Sequence, residues 1–169
     1  MNNFADDDMG STQPITVSKK SNVKIHTLRS FDDFPKWLTP DELANFLYES
    51  LKPYEDPLPV VKEGILDALE PSSNREPGFV LIAEKDDKIV GALIMLRTGM
   101  KGYIPENFLL MVAVDPTTRG MGIGASIIKH SFELADGDVK LHVEYDNPAK
   151  KLYERLGMTS KYAEMRFHK

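Results

Sequence analysis

At 169 residues, 41% hydrophobic and 28% charged, the chain is long enough for one domain with a proper core and ordinary for a globular protein. It has no cysteine, which excludes a disulfide, a thiolate metal site and a cysteine nucleophile. A net charge of −5 argues against bulk nucleic-acid binding, and neither a membrane-length apolar run nor a signal-peptide core is present, so a cytoplasmic protein without membrane or nucleic-acid partners is expected.

Residues 1–21, with Asp6-Asp7-Asp8 and few apolar side chains, read as a flexible tail, leaving 22–169 as the domain. Val23 to Leu28 alternates like a strand. Thr39-Pro40 supplies an N-cap and a first helical residue for a helix with the stripe Leu43, Phe46, Leu47 and Leu51. Pro53 to Pro59 breaks it, and Leu58, Val61, Ile65, Ala68 and Leu69 suggest a second helix. Phe79–Ala83 and Ile89–Leu96 flank the polar turn Lys85-Asp86-Asp87-Lys88 and predict a hairpin. Their continuous hydrophobicity predicts strands covered on both faces, as does that of Phe108–Val114.

A further helix carries Ile123, Ile127, Ile128, Phe132 and Ala135, with Gly137 near its stop. Val139–Val143 is the next strand. Asn147 as N-cap, Pro148 at N1 and Gly157 as a left-handed stop bound the last helix, and Lys161–Phe167 alternates as a closing strand. The order is β-α-α-β-β-β-α-β-α-β, an α/β fold without internal repeats.

The most informative stretch is FLLMVAVDPTTRGMGIGA, residues 108–125. A buried strand there runs into a turn and then into a glycine-rich start of an amphipathic helix. Alternating Gly120, Gly122 and Gly124 let the backbone approach a ligand and turn N–H groups toward one point, and the helix start and Arg119 add positive charge. Such a site suits a pyrophosphate. The P-loop pattern is absent. Gly120-x-Gly122-x-x-Ala125 satisfies a permissive dinucleotide fingerprint, but Asp115 to Arg119 intervene after the strand and too little chain follows for further βαβ units.

The same residues resemble the signature of the GNAT-type N-acetyltransferases, [Q/R]-x-x-G-x-[G/A], with Arg119, Gly122 and Gly124 in the defined positions. Leu141-His142-Val143, Asn147-Pro148-Ala149 and Leu152-Tyr153-Glu154-Arg155-Leu156-Gly157-Met158 resemble the family's second motif. The specific match covers about 108–158, and a looser match in element order reaches back to about residue 23. The resemblance implies a mixed, mostly antiparallel central sheet flanked by helices.

It also implies acetyl-CoA as co-substrate, with no metal. The backbone of Arg119, Gly120, Met121, Gly122, Ile123, Gly124 and Ala125 would hold the pyrophosphate, and pantetheine would pair like a strand with Val112, Ala113 and Val114. The family's sheet splays there, with the cofactor entering before Val139–Val143. Asn147 would contact the cofactor arm, although a helix cap alone is the other reading. Tyr153 is the implied general acid for the departing thiolate; by periodicity alone it is a core aromatic.

Where many relatives carry a strand glutamate this chain has Leu110 and Met111, so the base is open among Glu106, Glu144, His142 and a water relay, with Glu106 first. The implied acceptor is a primary amine, a small molecule or a peptide N-terminus, and a homodimer is left open. A non-catalytic CoA-binding domain and a longer acyl donor are the alternatives. His26, His130 and His168 have no partners at ligand spacing, so no metal site is expected.

Overall fold

The structure is a computed structural model that describes residues 15–18, 22–72 and 74–169. Its strands are β1 (Ile15–Ser18), β2 (Val23–Leu28), β3 (Phe79–Lys85), β4 (Lys88–Arg97), β5 (Asn107–Val114) and β6 (Val139–Leu141). Its helices are α1 (Pro40–Leu51), α2 (Leu58–Leu69), α3 (Ile123–Leu134) and α4 (Ala149–Arg155). The strands form one sheet in chain order, antiparallel throughout except for the parallel pair β5–β6.

Local chemistry sets most of these boundaries. The Thr39 hydroxyl accepts from the Glu42 N–H at 3.2 Å while Glu42 Oε2 accepts from the Thr39 N–H at 2.7 Å, a reciprocal cap that satisfies two orphan donors of α1. Asp86 and Asp87 both have positive φ, 53° and 56°, the twist that a two-residue turn needs to join β3 to β4 without splaying them. At the end of α4, Met158 N–H donates to the Tyr153 carbonyl and Gly157 N–H to that of Glu154, with Gly157 at φ 95°. This left-handed stop satisfies two carbonyls that would otherwise end the helix unpaired.

The sheet is covered on both faces, as continuous hydrophobicity in β3 and β4 predicts. On one face Leu43, Leu47, Val61 and Ile65 of α1 and α2 pack on Val80, Ile82, Ile94 and Met111. On the other, Ile123, Ile127 and Ile128 of α3 and Tyr153 of α4 pack on Leu81, Leu93 and Leu109. Each fully buried leucine or isoleucine contributes roughly 1.5–3 kcal/mol of transfer free energy. Gly91 marks the tightest approach of α3, where a Cβ would lie 2.6 Å from Ile127 Cδ1.

Two expectations at the chain ends need correction. Ile15–Ser18, read as part of a flexible tail, is the edge strand β1, paired to β2 through Ile15↔Ile25 and Thr16↔Lys24. Four residues are too few for a hydrophobic period, and the strand exists because β2 offers an unpaired edge. Residues 1–14 and 19–21 of that tail lie outside the described residues. The closing strand expected over Lys161–Phe167 is not formed: residues 158–169 carry no strand, and Met165 and Phe167 are 93% and 89% exposed. Strand β6 also stops at Leu141 rather than Val143, so the alternation of 161–167 finds no hydrogen-bonded neighbour.

Candidate active site

The site begins with an irregularity in β5. Ile94 pairs with Met111 and Met95 with Leu109, leaving Leu110 as an extra residue, a β-bulge. The bulge switches faces: Leu109 packs with α3, whereas Leu110 and Met111 pack with α1 and α2. The pairing of β5 with β6 ends at the same place, at Leu109↔Leu141. From Leu110 to Val114 the β6 side of β5 therefore carries no strand among the described residues. Its N–H and C=O groups are an open edge.

That edge runs directly into the glycine loop. Asp115 opens it by accepting from the Thr117 hydroxyl at 2.6 Å and N–H at 2.7 Å, and these bonds, with Arg119 nearby, hold its carboxyl below the usual range. Gly120 and Gly122 both have φ 81°, with no atom within 4 Å of where a Cβ would sit. Gly122 precedes α3 without any side-chain cap. The first helical bond closes from Ser126 N–H to the Gly122 carbonyl, leaving the N–H groups of Ile123, Gly124 and Ala125 directed out of the helix start. An anion fits there without displacing a side chain.

The side chains in this loop do other work. The Arg119 guanidinium donates to the Ser50 carbonyl at 2.8 Å and, more weakly, to that of Val114 at 3.4 Å, tying the loop to the end of α1. Ile123 and Ala113 bury their side chains, so they can offer a ligand only backbone, while Met121 is half exposed. A Cβ on Gly124 would lie 3.4 Å from Val114 Cγ2 and 3.6 Å from Leu152 Cδ2, so α4 packs against the first turn of α3.

Helix α4 brings the remaining candidates. Asn147 Oδ1 accepts from the Ala149 N–H at 2.9 Å, making it the effective cap even though Pro148 already has helical angles. Tyr153 is 9% exposed in the core under α3, the cluster against which Val112, Val114 and Leu152 also pack. Burial, and then the Glu144 carboxylate, push its phenol up to about 12. Its hydroxyl has no hydrogen-bond partner among the described residues.

Glu106 is not brought to this group. It precedes the other end of β5, roughly 26 Å from Val114 at about 3.3 Å per residue. Its Oε2 accepts from the Asp138 N–H at 3.0 Å, and its own N–H and that of Asp138 hold the carboxyl low. A side chain on Gly137 would collide with it at 2.7 Å. Glu106 supports the turn into β6, and the structure does not bring it together with Tyr153 and the glycine loop. His142 leans on Phe108 and faces Glu164 at 3.7 Å, with burial pushing its imidazole down. Among the described residues no cluster of three or more His, Asp or Glu could hold a metal ion.

Sequence reasoning missed the bulge at Leu110, because apolar residues on both sides of an extra residue show no break in pattern. It also missed the part played by the α1–α2 connection, where Pro53 to Pro59 reads only as a helix break. There the Tyr54 hydroxyl reaches the Asp146 carbonyl at 3.5 Å, joining the α1–α2 loop to the turn before α4.

The model of the acetyltransferase (GNAT) family matches residues 33–158. The chain is 29% identical over 86 residues to N-alpha-acetyltransferase 30 of Schizosaccharomyces pombe, a match covering 48% of this chain and 57% of that protein. It is 33% identical over 86 residues to N-alpha-acetyltransferase 30 of Homo sapiens, covering 48% of this chain and 24% of that one. The matches thus span about half or less of these curated relatives. Among solved structures, a possible acetyltransferase from Clostridium difficile 630 superposes with a TM-score of 0.61 at 25% identity, over 87% of this chain and 97% of the other. Open strand edge, uncapped glycine loop and family match fall on the same residues, and the chain belongs to the GNAT family of acetyltransferases.

Proposed function

We propose that the protein moves an acetyl group from acetyl-CoA to a primary amine by direct attack, and that the acceptor is a peptide N-terminus or a small molecule with a weakly basic amine. One observation carries this reading: the β5 edge from Leu110 to Val114 is open and continuous with the uncapped N–H groups that start α3. Pantetheine has the amides to pair with such an edge, and the pyrophosphate has the charge to seat at the helix start. The relatives named N-alpha-acetyltransferase support an α-amine acceptor.

In the reaction the amine nitrogen forms a bond to the thioester carbonyl carbon, the C–S bond breaks, and the sulfur takes a proton. In this reading Tyr153 supplies that proton and regains one from water; its buried phenol, protonated throughout the neutral range, supports the role. The proton released from nitrogen passes to water. The chain has no cysteine to form an acyl-enzyme.

Incubating the protein with acetyl-CoA and a panel of amines, with thiol release as readout, tests the reading. The panel should favour α-amines. A lysine-like amine near pKa 10.4 is about 3.4 units from neutral at pH 7, a cost of about 4.6 kcal/mol, against about 1 kcal/mol for an α-amine near 7.8. Gly122→Val tests the loop: calorimetry should show CoA affinity reduced by at least about tenfold, with a smaller cost in stability from its positive φ. Unchanged affinity in the folded variant would remove the loop from the site.

A further inference from the structure

The outer face of α1 carries a groove that the acetyltransferase reading does not use. Glu42, Asn45, Phe46 and Glu49 recur at the spacing of one helix face and meet the Asp115-Pro116 turn across an open cavity of about 590 Å³. Three of the lining side chains are carboxylates, and among the described residues no lysine or arginine lines it. Two cations stand beside it. Lys52 donates to Glu49 at 2.8 Å, and Arg119, within electrostatic reach of Asp115, donates to the Ser50 carbonyl.

Each carboxylate uses one oxygen locally and keeps the other. Glu42 Oε2 caps α1 through Thr39, Glu49 Oε2 takes Lys52, and Asp115 Oδ1 takes Thr117. Glu42 Oε1, Glu49 Oε1 and Asp115 Oδ2 accept no hydrogen bond among the described residues. Ser50, which also lines the groove, is a separate observation. It is 7% exposed, and its hydroxyl has no hydrogen-bond partner among the described residues. The buried Ser131 of α3, by contrast, turns its hydroxyl back onto the Ile128 carbonyl at 2.8 Å. A buried hydroxyl left unpaired at a cavity wall is satisfied by what enters the cavity.

We propose that this groove binds a linear aliphatic polyamine, as a second ligand site apart from the transfer site. Glu42 and Glu49 stand about 10.5 Å apart along the axis of α1, and no three acidic groups among the described residues could hold one metal ion. The negative charge is spread along the groove, which suits a chain with an ammonium at each end. Its ends donate to the free carboxylate oxygens and its methylenes lie on Phe46 and Pro116. An inner amine meets Ser50, whose hydroxyl accepts what an ammonium can only donate. No strongly exposed large apolar side chain lines the groove to anchor a protein partner, which favours the small ligand. The site shares no residue with the open edge of β5, the N–H groups at the start of α3 or Tyr153.

The test is calorimetry on the full chain without acetyl-CoA, with spermidine as the probe and propylamine and magnesium chloride as controls. Spermidine should bind one to one, at least about tenfold more tightly than either control, and more weakly as salt rises. Glu49→Gln should weaken it about three- to fivefold and Glu49→Lys at least about tenfold. Ser50→Ala, which keeps the carbonyl that Arg119 holds, should weaken it about two- to tenfold. Glu49 lies on the exposed face of α1, so its variants should melt as the wild type does. No binding by the wild type, or magnesium binding as tightly as spermidine, would overturn the site. Spermidine affinity unchanged in Glu49→Lys would place the triamine elsewhere, the transfer site included, and overturn it too. Failure to release thiol with any amine would instead overturn the transferase reading and leave this site standing.

Discussion

At the scale of single residues, Tyr153 and Glu106 separate most clearly. If Tyr153 protonates the leaving sulfur, Tyr153→Phe should lower kcat by about 10²–10⁴-fold with little change in acetyl-CoA affinity, measured by single-turnover thiol release and calorimetry. The same residue predicts a stability effect with a definite sign. Its pKa is raised in the fold, from 10.0 to about 12, so the folded state holds this proton more tightly than the unfolded chain. The contribution is fully present below pH 10 and is lost as pH rises toward 12, and thermal melts of Tyr153→Phe across that window should fall less steeply than those of the wild type. Glu106→Gln should leave kcat/KM within about threefold but lower Tm slightly, because its carboxylate holds the Asp138 N–H. A large loss of rate with unchanged stability would return Glu106 to the chemistry.

At the scale of elements, legibility follows how local the cause is. The cap at Thr39, the turn at Asp86-Asp87 and the stop at Gly157 each depend on neighbours within five residues, and the sequence displays all three. Strand β1, the bulge at Leu110 and the early end of β6 depend on partners elsewhere in the chain, and none shows in a hydrophobic pattern. Alternation over 161–167 is the converse case: a strand-like pattern with no paired neighbour. The candidate site divides likewise, since the glycine loop and α4 are contiguous motifs, while the open edge of β5 becomes visible only through the pairing it lacks. A truncation series checks the role of β1. Removing residues 1–14 should leave Tm nearly unchanged, whereas removing 1–20 also deletes β1, bares the edge of β2 and should lower Tm and promote self-association. Equal melting temperatures for the two truncations would show that β1 contributes nothing.

At the scale of the whole molecule, the sheet is a wall shared by two cores. Helices α1 and α2 buttress one side, and α3 and α4 the other. The antiparallel part, β1 to β5, is paired along most of its length; β6 joins through three residues, next to the turn that Glu106 supports. Contacts between the two sides come together at one corner, where Arg119 bonds to Ser50 and Tyr54 reaches Asp146. That corner ties the α1–α2 connection, the glycine loop and the turn before α4 into one mechanical unit.

The gap beyond Leu109 has a consequence for how long the protein survives. On the proposed reading, a sheet lacking one strand over five positions is completed by acetyl-CoA, which is then also a structural member. At a hundredfold excess over its dissociation constant a ligand adds about 2.7 kcal/mol, or roughly 5–11 °C in Tm for a chain of this size. Limited proteolysis over a range of acetyl-CoA concentrations should show cleavage slowing as the donor rises, with the β6–α4 region protected first. On that reading the lifetime of the folded chain becomes a gauge of the activated acyl pool around it.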